Sequence, residues 1–135
     1  MRYHLCWGSW HGPHTHDLPL EHIIDLILEV KAQTYSFEAA NVRHEHEWRV
    51  WQQAKLPDGK MLMPGVVSHA TNLVEHPALV ADRILRYPAL VGRENVIAGT
   101  DCGASAVGST PTSPGRSCAR SSKGAPRVKV PSGPS

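Results

Sequence analysis

The sequence predicts an α/β fold built on a parallel sheet, for two reasons. First, short β-prone runs alternate with amphipathic helical patterns in the order β-α-β-α-β-α-β, and this alternation is typical of parallel strands joined by right-handed crossovers. Second, reactive side chains lie where the predicted strands end: His4 and Cys6, Glu38, His69, and Cys102. In a (β/α)8 barrel this edge of the sheet is the catalytic face, and four βα units amount to half of such a barrel.

The first predicted strand, residues 2–8, carries the pair His4-x-Cys6. Residues two apart on a strand point to the same face, so the pair aims an imidazole and a thiol at one spot. These are two of the four ligands of a tetrahedral zinc site. Trp7 and Trp10 can wall a pocket there, although aromatic residues near a strand end are more often part of the core.

The first helix is predicted to follow Asp17, which is an N-cap candidate, with Pro19 in the first turn. Apolar residues then recur at helical spacing and predict one buried stripe: Leu20, Ile23, Ile24, Ile27 and Leu28.

The remaining predicted elements are a strand at 34–39, a helix at 44–54, a turn at 57–59, a strand at 61–68, a helix from Pro77 and a strand at 95–99. Trp48 and Trp51 are expected on one face of the helix at 44–54. The helix from Pro77 is expected to turn Leu79, Val80 and Ile84 inward. Pro88 should end or kink it, because proline removes a backbone donor, and Gly92 closes the segment.

Charge and composition divide the chain near residue 103. Residues 1–103 hold nine Lys/Arg and all twelve acidic residues, whereas residues 104–135 hold five Lys/Arg and no acidic residue. Of those last 32 residues, 17 are Ser, Gly or Pro, and such a segment is predicted to be a disordered tail. The basic character therefore belongs to the tail and is no argument for nucleic-acid binding.

Cysteine usage and hydropathy predict a cytoplasmic protein without a membrane span. Three cysteines, an odd number, do not make a disulfide framework, and Cys118 is expected to be a free, exposed thiol. No apolar run approaches the roughly 20 residues that a membrane helix needs, and no signal peptide is expected at the start of the chain.

The zinc candidates from the strand ends are His4, Cys6, Glu38 and Cys102, which converge only if their strands are neighbours in a parallel sheet. Taken singly, each has an ordinary alternative, since a buried cysteine is usually a small apolar residue and a lone histidine a hydrogen-bonded polar group. Two other histidine groups compete as metal ligands: His11, His14 and His16, and His44 and His46. Exposed loop histidines without a nearby sulfur ligand are the weaker candidates.

With these residues placed, residues 2–103 resemble the C-terminal catalytic barrel of the cobalamin-independent methionine synthase family. The likeness is greatest to its short, single-barrel relatives, which include alkyl transferases that act on coenzyme M. The motifs that carry it are His4-Leu-Cys6, Phe37-Glu38, Val67-Ser68-His69, the stretch from Glu75 to Arg83, and Gly99-Thr-Asp-Cys102-Gly103. The resemblance implies the C-terminal half of a TIM barrel at 1–103, without the half that contacts the amino acid and part of the folate. Residues 104–135 depart from the family, and we hypothesise that they are a frameshifted reading.

The resemblance also implies the roles of the site residues. His4, Cys6, Glu38 and Cys102 would hold a catalytic Zn2+, His69 would assist proton transfer, and Asp101 would orient the last cysteine ligand.

The implied reaction is transfer of a methyl group from 5-methyltetrahydrofolate to the zinc-bound thiolate of homocysteine, which gives methionine. It is expected to be impaired in this chain, and self-association through exposed barrel edges is expected. The alternatives are alkyl transfer to another thiol, such as coenzyme M, a non-catalytic zinc-binding module, and a truncated product with no function of its own.

Overall fold

A computed structural model of the chain describes residues 1–8, 12–71 and 73–102. Three strands, β1 (Arg2–Leu5), β2 (Thr34–Phe37) and β3 (Met61–Pro64), form a parallel sheet in the order β1-β2-β3. The α-helices are α1 (Ile24–Glu29), α2 (Pro77–Leu85) and α3 (Pro88–Val91), and 3₁₀ helices span Leu20–His22, Glu45–Gln52 and Arg93–Asn95. The predicted α/β class with a parallel sheet is thus confirmed. The predicted tail lies outside the described residues.

No helix among the described residues has the length and apolar character that crossing a membrane requires.

The sheet is covered on both faces at its central strand. All four residues of β2 are buried, whereas those of β1 alternate between exposed and half-buried, as expected of an edge strand. The buried apolar side chains form one cluster: Leu20, Ile24, Ile27, Ala32, Tyr35, Phe37, Ala39, Trp51, Leu62 and Tyr87.

The predicted fourth strand at 95–99 is wrong as a regular strand, because the segment pairs with β3 only through the isolated parallel bridges Leu62↔Val96 and Gly65↔Gly99. The backbone bonds that do form run from Ile97 N–H to the Leu62 carbonyl and from Gly99 N–H to the Pro64 carbonyl, both 2.9 Å. A regular parallel ladder would place a bond from residue 64 to residue 97 between them, and proline has no N–H to donate it. Pro64 therefore interrupts the ladder while the segment stays in register.

The first predicted helix is split into the 3₁₀ helix Leu20–His22 and α1, and its apolar stripe packs into the core as predicted. The N-cap prediction for Asp17 is wrong, because Pro19 precedes the first helical residue and no side chain caps it there. The backbone N–H of Leu20 instead donates a 2.7 Å hydrogen bond to Glu47, which lies 27 residues away.

The predicted helix at 44–54 is a 3₁₀ helix over Glu45–Gln52. Side chains three apart eclipse one another in this helix type. His44 and Glu47 are three residues apart, and their side chains are hydrogen bonded to each other. Trp48 and Trp51 have the same spacing along the helix.

Helix α2 begins at Pro77 as predicted, and α3 begins at Pro88, with Gly92 at positive φ (89°) after its end. The predicted inner face is wrong in part, since Leu79 is 39% exposed and Arg83 is the buried residue of α2. Arg83 is drawn inward because its guanidinium pairs with Glu75 and lies 3.3 Å from Glu45.

A candidate metal centre at the strand ends

Three of the four predicted zinc ligands lie together at the C-terminal edge of the sheet. The ligand atoms of His4, Cys6 and Cys102 all lie within 4.8 Å of one another. Within the described residues this is the sole cluster of three or more such side chains close enough to hold a metal ion. A nitrogen and two sulfurs are the donor types that zinc prefers.

The chain segment that carries Cys102 crosses over the top of the sheet to reach Cys6. The segment at 96–99 lies beside β3, so β2 and β3 separate it from β1, a span of about 14 Å at the usual strand spacing. Asp101 holds the crossing in place. Its backbone N–H donates to the Val67 carbonyl (3.0 Å), and its Oδ1 accepts from the backbone N–H groups of Ala39 (2.9 Å) and Ala40 (3.2 Å).

Glu38 directly follows β2 and is 1% exposed. Its Oε2 accepts a 3.1 Å hydrogen bond from the side-chain amide of Asn41, whereas its Oε1 has no hydrogen-bond partner within the described part of the chain. Glu38 is not in the cluster whose donor atoms lie within 4.8 Å. Its charge nevertheless contributes to the raised pKa of Cys102, so the carboxylate lies near that thiol.

His69 follows β3 by five residues and is 7% exposed. Neither of its ring nitrogens has a hydrogen-bond partner among the described residues. Oδ2 of Asp101 is likewise buried and without a partner there. Buried polar atoms are nearly always hydrogen bonded, so these buried atoms without partners indicate a binding position for a ligand.

The thiol of Cys102 is influenced by its surroundings, and by Cys6 above all. The hydrogen bond with Cys6, followed by burial and by the charges of Glu38 and Asp101, raises the pKa of Cys102 to about 11. Burial likewise raises the pKa of Asp101, although hydrogen bonds from Ala39 and Ala40 oppose the shift. The thiol of Cys102 therefore stays protonated near neutral pH unless a cation offsets the surrounding negative charge.

His4 lies at the exposed rim of the cluster, in β1. Its Nδ1 lies 3.1 Å from the hydroxyl of Ser36, which is its register partner in β2. A proton on Nδ1 would leave the lone pair of Nε2 for a metal, and such an outer hydrogen bond commonly orients a histidine ligand.

The donor set fits zinc on these grounds. His4, Cys6 and Cys102 can supply three ligands. Glu38 lies outside that cluster, and its buried Oε1, which has no hydrogen-bond partner among the described residues, is the candidate for a fourth donor. Sequence reasoning did not find Ser36 or Asn41, the two residues that hold His4 and Glu38. Their only sequence signal is their position, since Ser36 lies opposite His4 in the next strand and Asn41 follows Glu38 by three residues.

The competing histidine groups have other roles. His14 and His44 are each hydrogen bonded to the carboxylate of Asp17, and His16 and His46 are exposed. His11 lies outside the described residues, as does Trp10. Trp7 stacks on the ring of His44, with centroids 3.8 Å apart, so it braces the end of β1.

Comparison of the chain with protein-family models, curated proteins and solved structures returns no significant match. The assignment of the chain to the methionine synthase family, and of its site to zinc, therefore stays a prediction.

Proposed function

We propose that the chain carries the zinc centre of a thiol methyltransferase, which transfers a methyl group from 5-methyltetrahydrofolate to homocysteine. The observation that carries the proposal is the convergence of His4, Cys6 and Cys102. These three donors come from opposite lateral edges of a parallel sheet and meet at its C-terminal end, where α/β enzymes bind their substrates. The proposal includes the C-terminal half of a (β/α)8 barrel as the architecture to which the three strands belong.

In this proposal His4, Cys6 and Cys102 hold the metal, with Glu38 as the fourth ligand. Zinc bound there would lower the pKa of a substrate thiol and keep it as a nucleophilic thiolate. Asp101 keeps Cys102 in reach of Cys6 through its bonds to Ala39 and Ala40.

His69 is the group proposed to move a proton. In the reaction the methyl carbon leaves a nitrogen of the donor and bonds to the substrate sulfur, so the donor nitrogen must take up a proton. The ring nitrogens of His69 are buried and free of partners among the described residues, and His69 lies close enough to Asp101 for its charge to act on that carboxylate. An imidazole side chain can both accept and donate such a proton.

The first test is the zinc content of the purified full chain beside its Cys102→Ala and Glu38→Ala variants. We expect about one zinc per chain in the parent and loss of zinc in both variants. Cys118→Ala is the matched control, because it removes a cysteine that the proposal does not use, and it should keep the metal. A folded parent chain that binds no zinc would refute the site.

A second test separates the catalytic reading from a non-catalytic zinc module. Cobalt can replace zinc, and its thiolate ligands give rise to a ligand-to-metal charge-transfer absorption band. Added homocysteine should raise this absorption if the site admits a substrate thiol, whereas a closed structural site would not respond. Coenzyme M in place of homocysteine tests the alternative thiol, and formation of methionine from methyl-folate tests the reaction itself.

A further inference from the structure

Four side chains near the end of β1 form a chain of alternating imidazoles and carboxylates. The Nδ1 of His14 lies 2.9 Å from Asp17, whose Oδ2 lies 3.0 Å from the Nε2 of His44. The Nδ1 of His44 lies 2.9 Å from Oε2 of Glu47, and Oε1 of Glu47 accepts from the backbone N–H of Leu20. The side chains of His44 and Glu47 are 4% and 7% exposed.

The geometry favours the imidazolium form of His44. Both of its ring nitrogens face carboxylate oxygens, which only accept hydrogen bonds, and a neutral imidazole has a single N–H to donate. Burial lowers the pKa of His44, but the hydrogen bonds and charges of Glu47 and Asp17 outweigh burial and hold it above its ordinary value. The other titratable or charged side chains beside Asp17 are those of His14 and Arg43. The Nε of Arg43 lies 3.8 Å from the Asp17 carboxylate.

His44 is linked to the metal centre on two sides. Its ring stacks on the indole of Trp7 at an interplanar angle of 16°, and Trp7 is the neighbour of Cys6 in the chain. Its backbone N–H donates a 3.1 Å hydrogen bond to the side-chain oxygen of Asn41, whose amide nitrogen donates to Glu38. The residue thus braces the ends of both β1 and β2.

We propose that His44 is a positioning residue, whose imidazolium, clasped by Asp17 and Glu47, holds the indole of Trp7 and thereby fixes Cys6 in the metal centre. The step from Cys6 to the metal rests on the proposed function. The step from His44 to Trp7 does not, and it can be measured in the metal-free chain.

The first readout is hydrogen exchange of the Trp7 indole N–H in the metal-free full chain. This N–H donates a 2.7 Å hydrogen bond to the Leu18 carbonyl, and a Trp7→Phe variant assigns its NMR signal. We expect exchange about ten-fold faster in His44→Gln, corresponding to loss of roughly one such contact. His46→Gln is the matched control, since His46 is exposed on the same 3₁₀ helix, and its rate should equal that of the parent chain.

The second readout is the rate at which a chelator removes cobalt from the loaded full chain. We expect about ten-fold faster release from His44→Gln and no change in His46→Gln. In the parent, release should also accelerate as the pH rises through the titration of His44, and His44→Gln should lack this acceleration. Protonation of the ligands themselves would act in the opposite direction, accelerating release as the pH falls, so the profile identifies the cause.

The outcomes separate the two proposals. If the parent chain binds no cobalt, the proposed function fails, and unchanged indole exchange in His44→Gln would independently overturn the positioning of Trp7. If cobalt binds but His44→Gln leaves both rates at parent values, the positioning proposal is wrong and the metal centre stands. Should His44→Gln fail to fold, Trp7→Leu removes the stacked ring and keeps the Asp17–His44–Glu47 contacts. Cobalt release at the parent rate from that variant would also overturn the proposal.

Discussion

The carboxylate of Asp101 accepts a 2.9 Å hydrogen bond from the backbone N–H of Ala39, across 62 residues of chain. This bond ties the segment that carries Cys102 to the strand end that carries Glu38. The same oxygen also accepts from the N–H of Ala40, so one side chain satisfies two buried backbone donors. The local geometry of the candidate site therefore depends on Asp101 whether or not it contacts a substrate.

Replacing Asp101 by alanine should destabilise the chain by about 2–4 kcal/mol, because two buried N–H groups lose their acceptor. Asp101→Asn keeps a carbonyl oxygen that can accept both bonds, and its loss should be less than half as large. Urea unfolding of the two variants beside the parent measures both values. Equal free energies of unfolding for Asp101→Ala and the parent would show that the hydrogen bonds of Asp101 to Ala39 and Ala40 do not stabilise the chain.

Gly65 lies against Asp101, so a substitution there tests the same hydrogen bonds of Asp101. A Cβ at residue 65 would lie 2.1 Å from Oδ1 and 2.6 Å from the backbone nitrogen of Asp101, far inside contact distance. Gly65→Ala should therefore displace Asp101, lower stability by more than about 2 kcal/mol and lower the zinc content with it.

Gly99→Ala is the comparison for that substitution, because its Cβ would meet Cγ of Met63 at 2.8 Å and the Pro64 carbonyl oxygen at 3.3 Å, and Asp101 is not among its nearest neighbours. We expect a smaller loss of stability and retained zinc. If Gly99→Ala were the more damaging of the two in urea unfolding and metal analysis, the importance of the Asp101 contact would be contradicted.

Arg83 joins α2 to the loop that leads to His69. Its guanidinium donates to the carbonyl of Val66 (3.1 Å) and pairs with Glu75, and Glu75 in turn accepts a 2.8 Å bond from the N–H of Ser68. Arg83→Met should destabilise the chain by about 3–5 kcal/mol, since it leaves the partly buried carboxylate of Glu75 without its cation. Glu45 keeps a cation, because Arg86 lies 3.1 Å from it.

The control for Arg83 is Arg93→Ala, which removes an exposed arginine and should change stability by less than about 0.5 kcal/mol. Thermal or urea unfolding decides between them. Similar losses of stability in both variants would mean that the buried ion pair of Arg83 with Glu75 stabilises the chain no more than an exposed arginine does.

Much of this architecture could be predicted from the sequence because it follows from local periodicity. The stripe containing Leu20, Ile24 and Ile27 identified a helix with one buried face, Pro77 marked a helix start, and Pro88 marked the end of that helix. Parallel strands bring their carboxyl ends to one edge of the sheet, which put Cys6 and Cys102 at the same edge. The crossing past β2 and β3 that brings Cys102 to Cys6 was not predicted.

The features that escaped prediction depend on partners far apart in the chain. Asp17 has the composition of an N-cap, but the nearby His14 and the distant His44 bind its carboxylate, and Glu47 satisfies the helix start in its place. Arg83 was not among the residues predicted to turn inward, because a charged residue is rarely buried without ion-pair partners, and Glu45 and Glu75 cannot be recognised as those partners from spacing.

The pH dependence of stability follows from the carboxylates of Asp17 and Glu47, which face the two ring nitrogens of His44. The pKa of His44 is raised in the folded chain, so its stabilisation is complete below the ordinary value near 6.5 and is lost as the pH rises through the folded value. For Asp17, burial raises the pKa, but the bonds to His14 and His44 outweigh it and leave a lowered value. Its stabilisation is therefore present above the ordinary value near 3.8 and is lost as the pH falls through the folded value.

Glu47→Gln should remove much of the alkaline part of this dependence. The neutral amide can still hydrogen bond to the imidazole and to the N–H of Leu20, but it no longer favours the charged form of His44. We therefore expect the free energy of unfolding to fall less in the variant than in the parent between pH 6 and pH 9, a window of about three units around the usual histidine range. Glu21→Gln is the control, since Glu21 is 68% exposed, and it should keep the parent profile. Urea unfolding across that range makes the comparison, and parallel profiles for Glu47→Gln and the parent would show that the charge of His44 does not stabilise the fold.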